Sequence, residues 1–352
     1  MKLEDALQKI RGLDEKAQAI AQARLDSLTK PLGSLGRLEE LVRRIAGITG
    51  KTSPSTDKKM IVVMCADNGV VEEGVSSCPK TVTASVTVNF TKGITGVNVL
   101  GSHAGAGITV VDIGVDGDIG ENGIINRKIR RGTWNIAEGP AMTREEAIKA
   151  IETGIDIVCD LSAEGVDIFG TGEMGVGNTT TSSAVAAVLT GKPVETLTGR
   201  GAGLTDEGLE NKIYVIKKAI EVNKPEPSDP LDVLSKLGGF DIAGLAGCFI
   251  GAAVCRKPIL IDGYISSVAA LIATQLNAET RNFMIASHGS AEPGSKAVLE
   301  MLGLEPLLSL GMRLGEGTGC ALAFHIIDAA LTAYKKMGTF DDAGIEQYKP
   351  LS

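Results

Sequence analysis

The sequence predicts an α/β protein: a parallel sheet covered by helices on both faces, with a small helical domain built from the two chain ends. From Lys58 onward, short apolar runs rich in β-branched residues alternate with amphipathic stretches. Fully apolar strands separated by helices are typical of parallel sheets buried on both sides. Helical spacing of apolar residues flanks this region at both ends. A chain of 352 residues with 43% hydrophobic content can bury a core of this size.

The elements follow one another in a simple order. Helical spacing covers residues 3–24 and 35–48, which are separated by the turn-prone stretch "SLTKPLGSLG". The strand candidates are residues 60–66, 108–115, 166–169, 258–262 and 283–286. A last helix, residues 319–336, is expected to pack against the N-terminal helices. We therefore predict an α/β domain at residues 58–317 and a small domain formed by residues 1–57 and 318–352.

Composition excludes several classes of partner. The formal net charge is −8, and no dense cluster of Lys or Arg forms the basic face that nucleic-acid binding requires. The start of the chain has no apolar signal segment, and the longest apolar run, residues 242–254, is shorter than the roughly 20 residues of a membrane span. Six cysteines without a CxxC pair indicate reduced thiols and a cytoplasmic protein. The three histidines are far apart in the sequence, which favours structural roles over a metal site. We expect no bound cofactor.

The stretch "FGTGEMGVGNTTTSSAV", residues 169–185, follows the third strand candidate. Its first three glycines, Gly170, Gly172 and Gly175, match the GxGxxG pattern of dinucleotide-binding folds, in which ligands bind beyond the carboxyl ends of the strands. However, Glu173 would face the pyrophosphate of a dinucleotide. The hydroxyl-rich run at residues 177–181 fits a monophosphate at a helix N-terminus better. A plain strand-to-helix turn, capped by a polar side chain, remains an alternative.

Two further glycine-bearing segments carry candidate polar residues, the first on a turn and the second at a strand end. In "RLGEGTGCALA", Glu316 lies between two glycines, where its carboxylate could reach a ligand. An ordinary acid at a helix N-terminus, stabilised by the helix dipole, is the alternative interpretation. In "IASHGSAEPGS", Ser287 and His288 are adjacent, but no GxSxG motif supports a serine hydrolase.

Eight ordered motifs between residues 28 and 330 closely resemble the nicotinate-nucleotide:dimethylbenzimidazole phosphoribosyltransferase family of cobalamin biosynthesis. They are "LTKPLGSLGRLEELV", "ADNGV…GVSSCPKTVT", "GTGEMGVGNTTTSSA", "GRGAGL", "GGFDIAGLAG", "PILIDGYISSVAAL", "SHGSAEPG" and "LGMRLGEGTGCALA". The resemblance implies a homodimer that transfers phosphoribose from nicotinate mononucleotide to a benzimidazole nitrogen. The products would be α-ribazole 5′-phosphate and nicotinate, and the leaving group would need no metal.

The resemblance also implies roles for individual residues. Glu316 matches the family's catalytic base, and Glu173 matches a second active-site acid that holds the ribose or its developing positive charge. The residues matched to the phosphate side are Gly175, Gly177, Asn178, Thr179, Gly201, Lys212 and Ser290. The residues matched to the base pocket are Ser77, Ser85 and Leu314.

The sequence departs from the family pattern at the predicted base pocket. Family members usually carry glutamine where this chain has Ser85, and an aromatic residue where it has Cys78. A purine or a phenol is therefore an alternative acceptor to 5,6-dimethylbenzimidazole. Two alternatives of another class are a dinucleotide-dependent oxidoreductase and an inactive partner subunit of a heterodimeric relative.

Overall fold

The computed structural model describes residues 1–120 and 123–347, and it confirms the α/β class. Within these described residues the sheet has six strands in the order β3-β2-β1-β4-β5-β6, and every neighbouring pair is parallel. The strands are β1 (Lys59–Ala66), β2 (Ala106–Gly114), β3 (Ile124–Asn126), β4 (Ile168–Met174), β5 (Ile259–Ile261) and β6 (Met284–Ala286). The strand order reverses direction between β1 and β4, which is where an open α/β sheet forms its ligand crevice.

Helices cover both faces of this sheet, as the apolar strands predict. Successive side chains of a strand point to opposite faces. In β1, Ile61 and Val63 belong to one apolar cluster, and Val62 and Met64 belong to the other. All four are fully buried. The central strand therefore has a hydrophobic layer on each side.

The helices, in chain order, have the following bounds. They are α1 (Leu3–Lys9), α2 (Glu15–Ser27), α3 (Arg37–Thr49), α4 (Thr81–Thr91), α5 (Gly96–His103), α6 (Arg144–Ala163), α7 (Asn178–Thr190), α8 (Val194–Leu197), α9 (Asp206–Asn223), α10 (Pro230–Leu237), α11 (Phe240–Val254), α12 (Tyr264–Leu276), α13 (Gly294–Leu302), α14 (Thr318–Lys336) and α15 (Phe340–Ala343). Short 3₁₀ helices lie at Gly69–Glu73 and Ala278–Phe283.

The prediction of one helix over residues 3–24 is wrong, because α1 and α2 are separate helices. Gly12 lies in the break, and the side chain of Asp14 accepts a hydrogen bond from Ala17 N at 2.8 Å. This N-cap satisfies a backbone donor of the first turn of α2, so a second helix begins there.

The chain ends meet as the sequence predicts. Helix α14 packs against α3, and Leu28 forms an isolated antiparallel bridge with Thr339. Helix α1 instead packs against α6 and α11 of the sheet layer. The domain boundaries at residues 57/58 and 317/318 stay a prediction, and residues 348–352 of the C-terminal segment lie outside the described residues.

Four strands lie within two residues of their predicted bounds, and two differences bear on the site. Strand β3 was not predicted. Strand β4 extends to Met174, five residues beyond its predicted end, so Gly170, Gly172 and Glu173 belong to the strand and not to a loop. None of the helices in the described part of the chain combines the length and the hydropathy needed to cross a bilayer.

Candidate active site

A cavity of about 600 Å³ lies at the carboxyl ends of β4, β5 and β6. Each of these strands contributes a polar side chain at or just after its end: Glu173, Asp262 and His288. The start of α7 and the turn before α14 close two further sides. The cavity therefore occupies the crevice that the strand order predicts.

Glu316 lies on a backbone turn that only glycine neighbours permit. The φ angles of Gly315, Glu316 and Gly317 are +81°, +62° and +102°. A left-handed conformation is uncommon for a residue with a side chain and costs on the order of 1 kcal/mol or more. The Glu316 carboxylate accepts a hydrogen bond from Val97 N, in the first turn of α5, at 3.0 Å. The turn thus aims the carboxylate into the cavity and holds it at a helix N-terminus.

The glycines of the GxGxxG match serve this turn, not a dinucleotide. A Cβ atom on Gly172 would lie 2.1 Å from the Glu316 carbonyl oxygen, and one on Gly170 would lie 2.8 Å from Cys320 Cβ. Both positions are in β4, whereas the dinucleotide fingerprint requires its glycines in a strand-to-helix turn. Because Gly170 and Gly172 have no side chains, the turn before α14 can lie directly against the sheet.

Glu173 belongs to a buried cluster of two carboxyls bridged by an amide. The Asn178 side-chain nitrogen donates to Glu173 and, at 3.0 Å, to Asp241. Burial is the main cause that raises the pKa of Glu173 to about 8, and the neighbouring Asp241 raises it further. Burial likewise raises the pKa of Asp241 to about 6. The pair therefore holds a proton near neutral pH, and the Asn178 amide nitrogen donates to both carboxyls of the pair.

Asp262, at the end of β5, fixes the start of α14. Its carboxylate accepts hydrogen bonds from the backbone N–H groups of Gly317 at 3.2 Å, Gly319 at 2.7 Å and Cys320 at 3.2 Å. Burial raises its pKa to about 7, although these three donors oppose the shift. The pKa of Glu316 is also raised, chiefly by burial. Because Asp262 binds the residue after Glu316, it positions the strained turn.

A second set of polar residues at the cavity is basic and hydroxyl-bearing. The buried Lys212 Nζ donates to Thr179 Oγ1 at 2.7 Å and to the Gly199 carbonyl at 3.2 Å. Burial lowers its pKa to about 8. Arg313 donates to the Gly201 carbonyl at 3.0 Å. Thr179, Gly201 and Arg313 line the cavity, while Lys212 supports Thr179 from behind.

Two backbone N–H groups at the entry to α7 already have partners within the protein. Val176 N donates to Thr83 Oγ1 at 3.1 Å, and Asn178 N donates to the Gly175 carbonyl at 3.1 Å. A Cβ atom on Gly175 would lie 2.5 Å from the Ala66 carbonyl oxygen. The close approach of the backbone at Ala66 thus requires glycine at position 175, whether or not a phosphate binds there.

The remaining wall of the cavity is formed by Ser76, Cys78 and α4. Val82 and Val86 are four residues apart and face the cavity from one side of that helix. Ser85 lies on the exposed side, and its hydroxyl donates to the Thr81 carbonyl at 3.1 Å. Ser77 is also exposed and is not among the lining residues, whereas its neighbours Ser76 and Cys78 are.

Most of the residues chosen from the sequence come together in this cavity. The lining includes Glu173, Gly175, Gly177, Asn178, Thr179, Gly201, Ser290, Leu314 and Glu316, with Lys212 one contact behind it and Ser77 and Ser85 outside it. Sequence reasoning missed Asp241 and Asp262. An acid directly after the apolar run "PILI" was a usable signal for Asp262, because it ends a buried strand at the ligand-binding edge. Among residues 1–120 and 123–347, no group of three or more potential metal ligands is placed to hold an ion.

The fold and the comparisons together define the class of protein. Residues 10–345 match a family model described as phosphoribosyltransferase, so the chain is an enzyme of the phosphoribosyl-transferring class. The chain belongs to this family. It is 65% identical over 351 residues, all of both chains, to nicotinate-nucleotide–dimethylbenzimidazole phosphoribosyltransferase of Ruminiclostridium cellulolyticum. The protein of the same name from Acetivibrio thermocellus is 62% identical, with 98% of each chain covered.

A solved structure agrees with these relatives. The crystal structure of CobT from Thermus thermophilus superposes with a TM-score of 0.91 at 38% sequence identity, covering 95% of this chain and all of that one. The predicted resemblance and fold class are thereby confirmed.

Proposed function

We propose that the protein transfers the 5-phosphoribosyl group of nicotinate mononucleotide to 5,6-dimethylbenzimidazole, giving α-ribazole 5′-phosphate and nicotinate. The observation that carries this proposal is the arrangement of one cavity: the acids Glu173 and Glu316 line it, and so does Thr179, whose hydroxyl accepts a hydrogen bond from the buried Lys212 behind it. A phosphate-bearing nucleotide and a weakly acidic acceptor require this combination. The name shared by the relatives at 65% and 62% identity supports the same reaction.

Glu316 is proposed as the general base. One benzimidazole nitrogen attacks the anomeric carbon, and the N–H of the other nitrogen loses its proton to Glu316 as the ring becomes neutral in the product. Burial raises the pKa of Glu316 above that of a free glutamate, which brings it closer to the range useful for a base at neutral pH. The left-handed turn and the bond from Val97 hold the carboxylate in one position, so little reorganisation is needed.

Glu173 is proposed to act on the sugar. Positive charge develops on the ribose ring as the pyridinium bond breaks, and nicotinate departs with a neutral ring nitrogen and needs no acid. A carboxylate beside the anomeric carbon would stabilise that charge. With a pKa of about 8, Glu173 is largely protonated in the free enzyme. Binding of the cationic pyridinium ring would favour its ionised form, so substrate binding and proton release are expected to be coupled.

The 5′-phosphate is proposed to bind beside Thr179 and Gly201, where the α7 N-terminus, Lys212 and Arg313 supply positive potential. Gly175, Gly177, Asn178 and Ser290 were also matched to the phosphate side. Of these, Asn178 is better explained as the bridge between Glu173 and Asp241.

The acceptor is proposed to lie against Ser76, Cys78, Val82 and Val86, with the exposed Leu314 at the rim. This wall is apolar apart from a hydroxyl and a thiol. It can therefore make few directional hydrogen bonds to a flat aromatic ring. A purine or phenol acceptor is the second candidate, and this lack of directional groups is what favours it. Ser77 and Ser85 lie outside this wall. Their predicted place in the base pocket requires the segment that carries them to move when substrates bind.

Two other interpretations receive less support. The oxidoreductase alternative depended on Gly170 and Gly172 forming a dinucleotide loop, and both lie in β4. The presence of both Glu173 and Glu316 at one cavity argues against an inactive subunit. We propose in addition a homodimer, as the family resemblance implies, and a cytoplasmic location, which suits six cysteines that are all free thiols. Light scattering of the purified protein would test the dimer.

The reaction is tested by incubation with nicotinate mononucleotide and an equimolar mixture of 5,6-dimethylbenzimidazole, adenine and 4-methylphenol. The proposal predicts ribosylated 5,6-dimethylbenzimidazole as a product, and comparable amounts of the other adducts would support the second candidate. A Val86→Gln variant adds an amide at a lining position and is expected to change the product ratio. The matched variant Ser85→Gln, on the exposed side of α4, is expected to leave it unchanged. The opposite pattern would restore Ser85 to the base pocket.

A further inference from the structure

Helices α6 and α11 pack with their backbones in direct contact. A Cβ atom on Gly247 would lie 2.0 Å from the Ile151 carbonyl oxygen, and one on Gly251 would lie 3.0 Å from the Ile155 carbonyl oxygen. From one contact to the next, both chains advance by four residues, about one helical turn. The two helices therefore run side by side in the same direction, with a contact at each turn.

The next contact in this series is between Cys159 and Cys255. Their sulfur atoms are 3.2 Å apart, within hydrogen-bonding distance, and both side chains are partly exposed. Cys255 is the C-cap of α11, and its backbone N–H bonds to the Gly251 carbonyl at 2.9 Å. The close glycine packing thus holds two solvent-accessible thiols in contact at the end of both helices. A disulfide needs the sulfur atoms to approach to about 2.0 Å, a small further movement.

We propose that Cys159 and Cys255 are a redox modification site that forms a reversible disulfide when the protein meets a peroxide. In the first step the Cys255 thiolate attacks a peroxide oxygen, which breaks the O–O bond and gives the sulfenic acid and hydroxide. In the second step the Cys159 thiol attacks that sulfur, forms the S–S bond and releases water. The peroxide is the two-electron oxidant, and a small thiol such as dithiothreitol reverses the reaction by exchange.

The electrostatics distinguish this pair from the buried cysteines. A hydrogen bond from the Cys159 thiol stabilises the Cys255 thiolate and lowers the pKa of Cys255 to about 7, and Lys257 adds to this effect. Burial instead raises the pKa of Cys65 and of Cys248 far above the usual value. Since the thiolate is the reacting form, Cys255 should react first.

The site is distant from the catalytic cavity. Helix α11 begins beside Asp241, which contacts the cavity through Asn178, and Cys255 follows the last of its 15 residues, about 22 Å away. The disulfide would close a loop of nearly a hundred residues and tie α6 to α11. A cross-link of this span is expected to stabilise the fold, raising the melting temperature of a chain this long by roughly 3–6 °C.

The test uses the full-length protein with hydrogen peroxide as the oxidant. Titration of thiols in denaturant is expected to fall from six per chain to four. The intact mass should fall by the two hydrogen atoms lost, and a cross-linked tryptic peptide pair, resolved by fragmentation from the nearby Cys248, should carry the Cys159–Cys255 bond. Dithiothreitol should restore all six thiols and the original melting temperature.

Controls keep the result interpretable. Cys255→Ser and Cys159→Ser should each abolish the cross-link, and Cys78→Ser, a partly exposed cysteine outside the pair, should retain it. Six free thiols after peroxide treatment, a cross-link between other cysteines, or oxidation of Cys255 to a sulfinic acid with no link would each overturn the proposal. A disulfide that forms without raising the melting temperature would overturn its stabilising role. The measurement involves no substrate, so it is independent of the proposed reaction.

Discussion

Replacing Glu316 by glutamine removes the proposed general base and leaves its surroundings almost unchanged. The glutamine side chain has the same length, and its amide oxygen can accept the hydrogen bond from Val97 N that the carboxylate accepts at 3.0 Å. The glycines on both sides keep the left-handed turn available, and Asp262 still binds the following N–H groups. The variant should therefore fold, with its α14 N-terminus intact.

The expected loss lies in the chemical step. A positioned general base contributes roughly 10²–10⁴-fold in rate, which corresponds to a barrier increase of about 3–5 kcal/mol. The effect should appear in kcat, while KM for nicotinate mononucleotide stays within a few-fold, because the phosphate group is proposed to bind on the side of Thr179 and Lys212, away from Glu316. Removing the raised-pKa acid should also leave the protein at least as stable as the wild type near neutral pH.

The assay is steady-state formation of nicotinate and of the ribosylated base, with thermal unfolding measured on the same samples. Glu207→Gln, the same chemical change at an exposed acid in the first turn of α9, is the matched control and should keep full activity. Near-wild-type kcat in folded Glu316→Gln would refute the assignment of the base. A variant that retains kcat but shows a large increase in KM would refute it as well, since the carboxylate would then be a binding group.

Three further predictions concern the acid Glu173, the proposed phosphate side at Lys212, and the turn that carries Glu316. Glu173 has a pKa of about 8 in the folded protein and near 4.5 in the unfolded chain, so the wild type should lose stability as pH rises between these values. The Glu173→Gln variant should not show this loss, which is on the order of a few kcal/mol at pH 9. The variant should also have a lower kcat. Equal unfolding curves for the two proteins at pH 5 and at pH 9 would contradict this pKa. Lys212→Met should raise KM for nicotinate mononucleotide at least tenfold with a smaller change in kcat, measured by initial rates, and an unchanged KM would remove Lys212 from the phosphate side. Gly172→Ala should lower the melting temperature and the activity together, because its Cβ would lie 2.1 Å from the Glu316 carbonyl oxygen; a fully active, stable variant would show that the turn is free to move.

The sequence predicts the layers of this fold well because the signal is local. Apolar β-branched runs identify the strands, and their burial on both faces requires helices above and below the sheet. Strand β4 was predicted too short because glycine and a carboxylate are unfavourable in strands, and only the approach of the turn at Glu316 explains why Gly170 and Gly172 occur there. The break between α1 and α2 was missed because apolar spacing continues across Gly12.

The candidate site was predictable where a motif lies next to a strand end and unpredictable where side-chain direction decides. Glu173 and Glu316, which both line the cavity, could be singled out because each lies in a glycine-rich segment and matches an active-site acid of the family that the sequence resembles. Ser85 was placed in the base pocket, but the phase of α4 turns Val82 and Val86 to the cavity instead. The bond from Asn178 to Asp241 joins residues 63 positions apart, and no local pattern encodes such a contact.

The proposed reaction joins a phosphoribosyl donor to an aromatic nitrogen in this cavity, with Glu316 as the base. It is tested most directly by NMR of a reaction containing nicotinate mononucleotide labelled with ¹³C at the anomeric carbon, 5,6-dimethylbenzimidazole, and either wild-type enzyme or Glu316→Gln. We expect the labelled carbon to become bonded to a benzimidazole nitrogen, with one nicotinate released per bond, and we expect the variant to form this product at least a hundredfold more slowly. A labelled anomeric carbon that carries a hydroxyl group in place of the benzimidazole nitrogen, as in free ribose 5-phosphate, would contradict this reaction, and equal rates for the two proteins would contradict the role of Glu316.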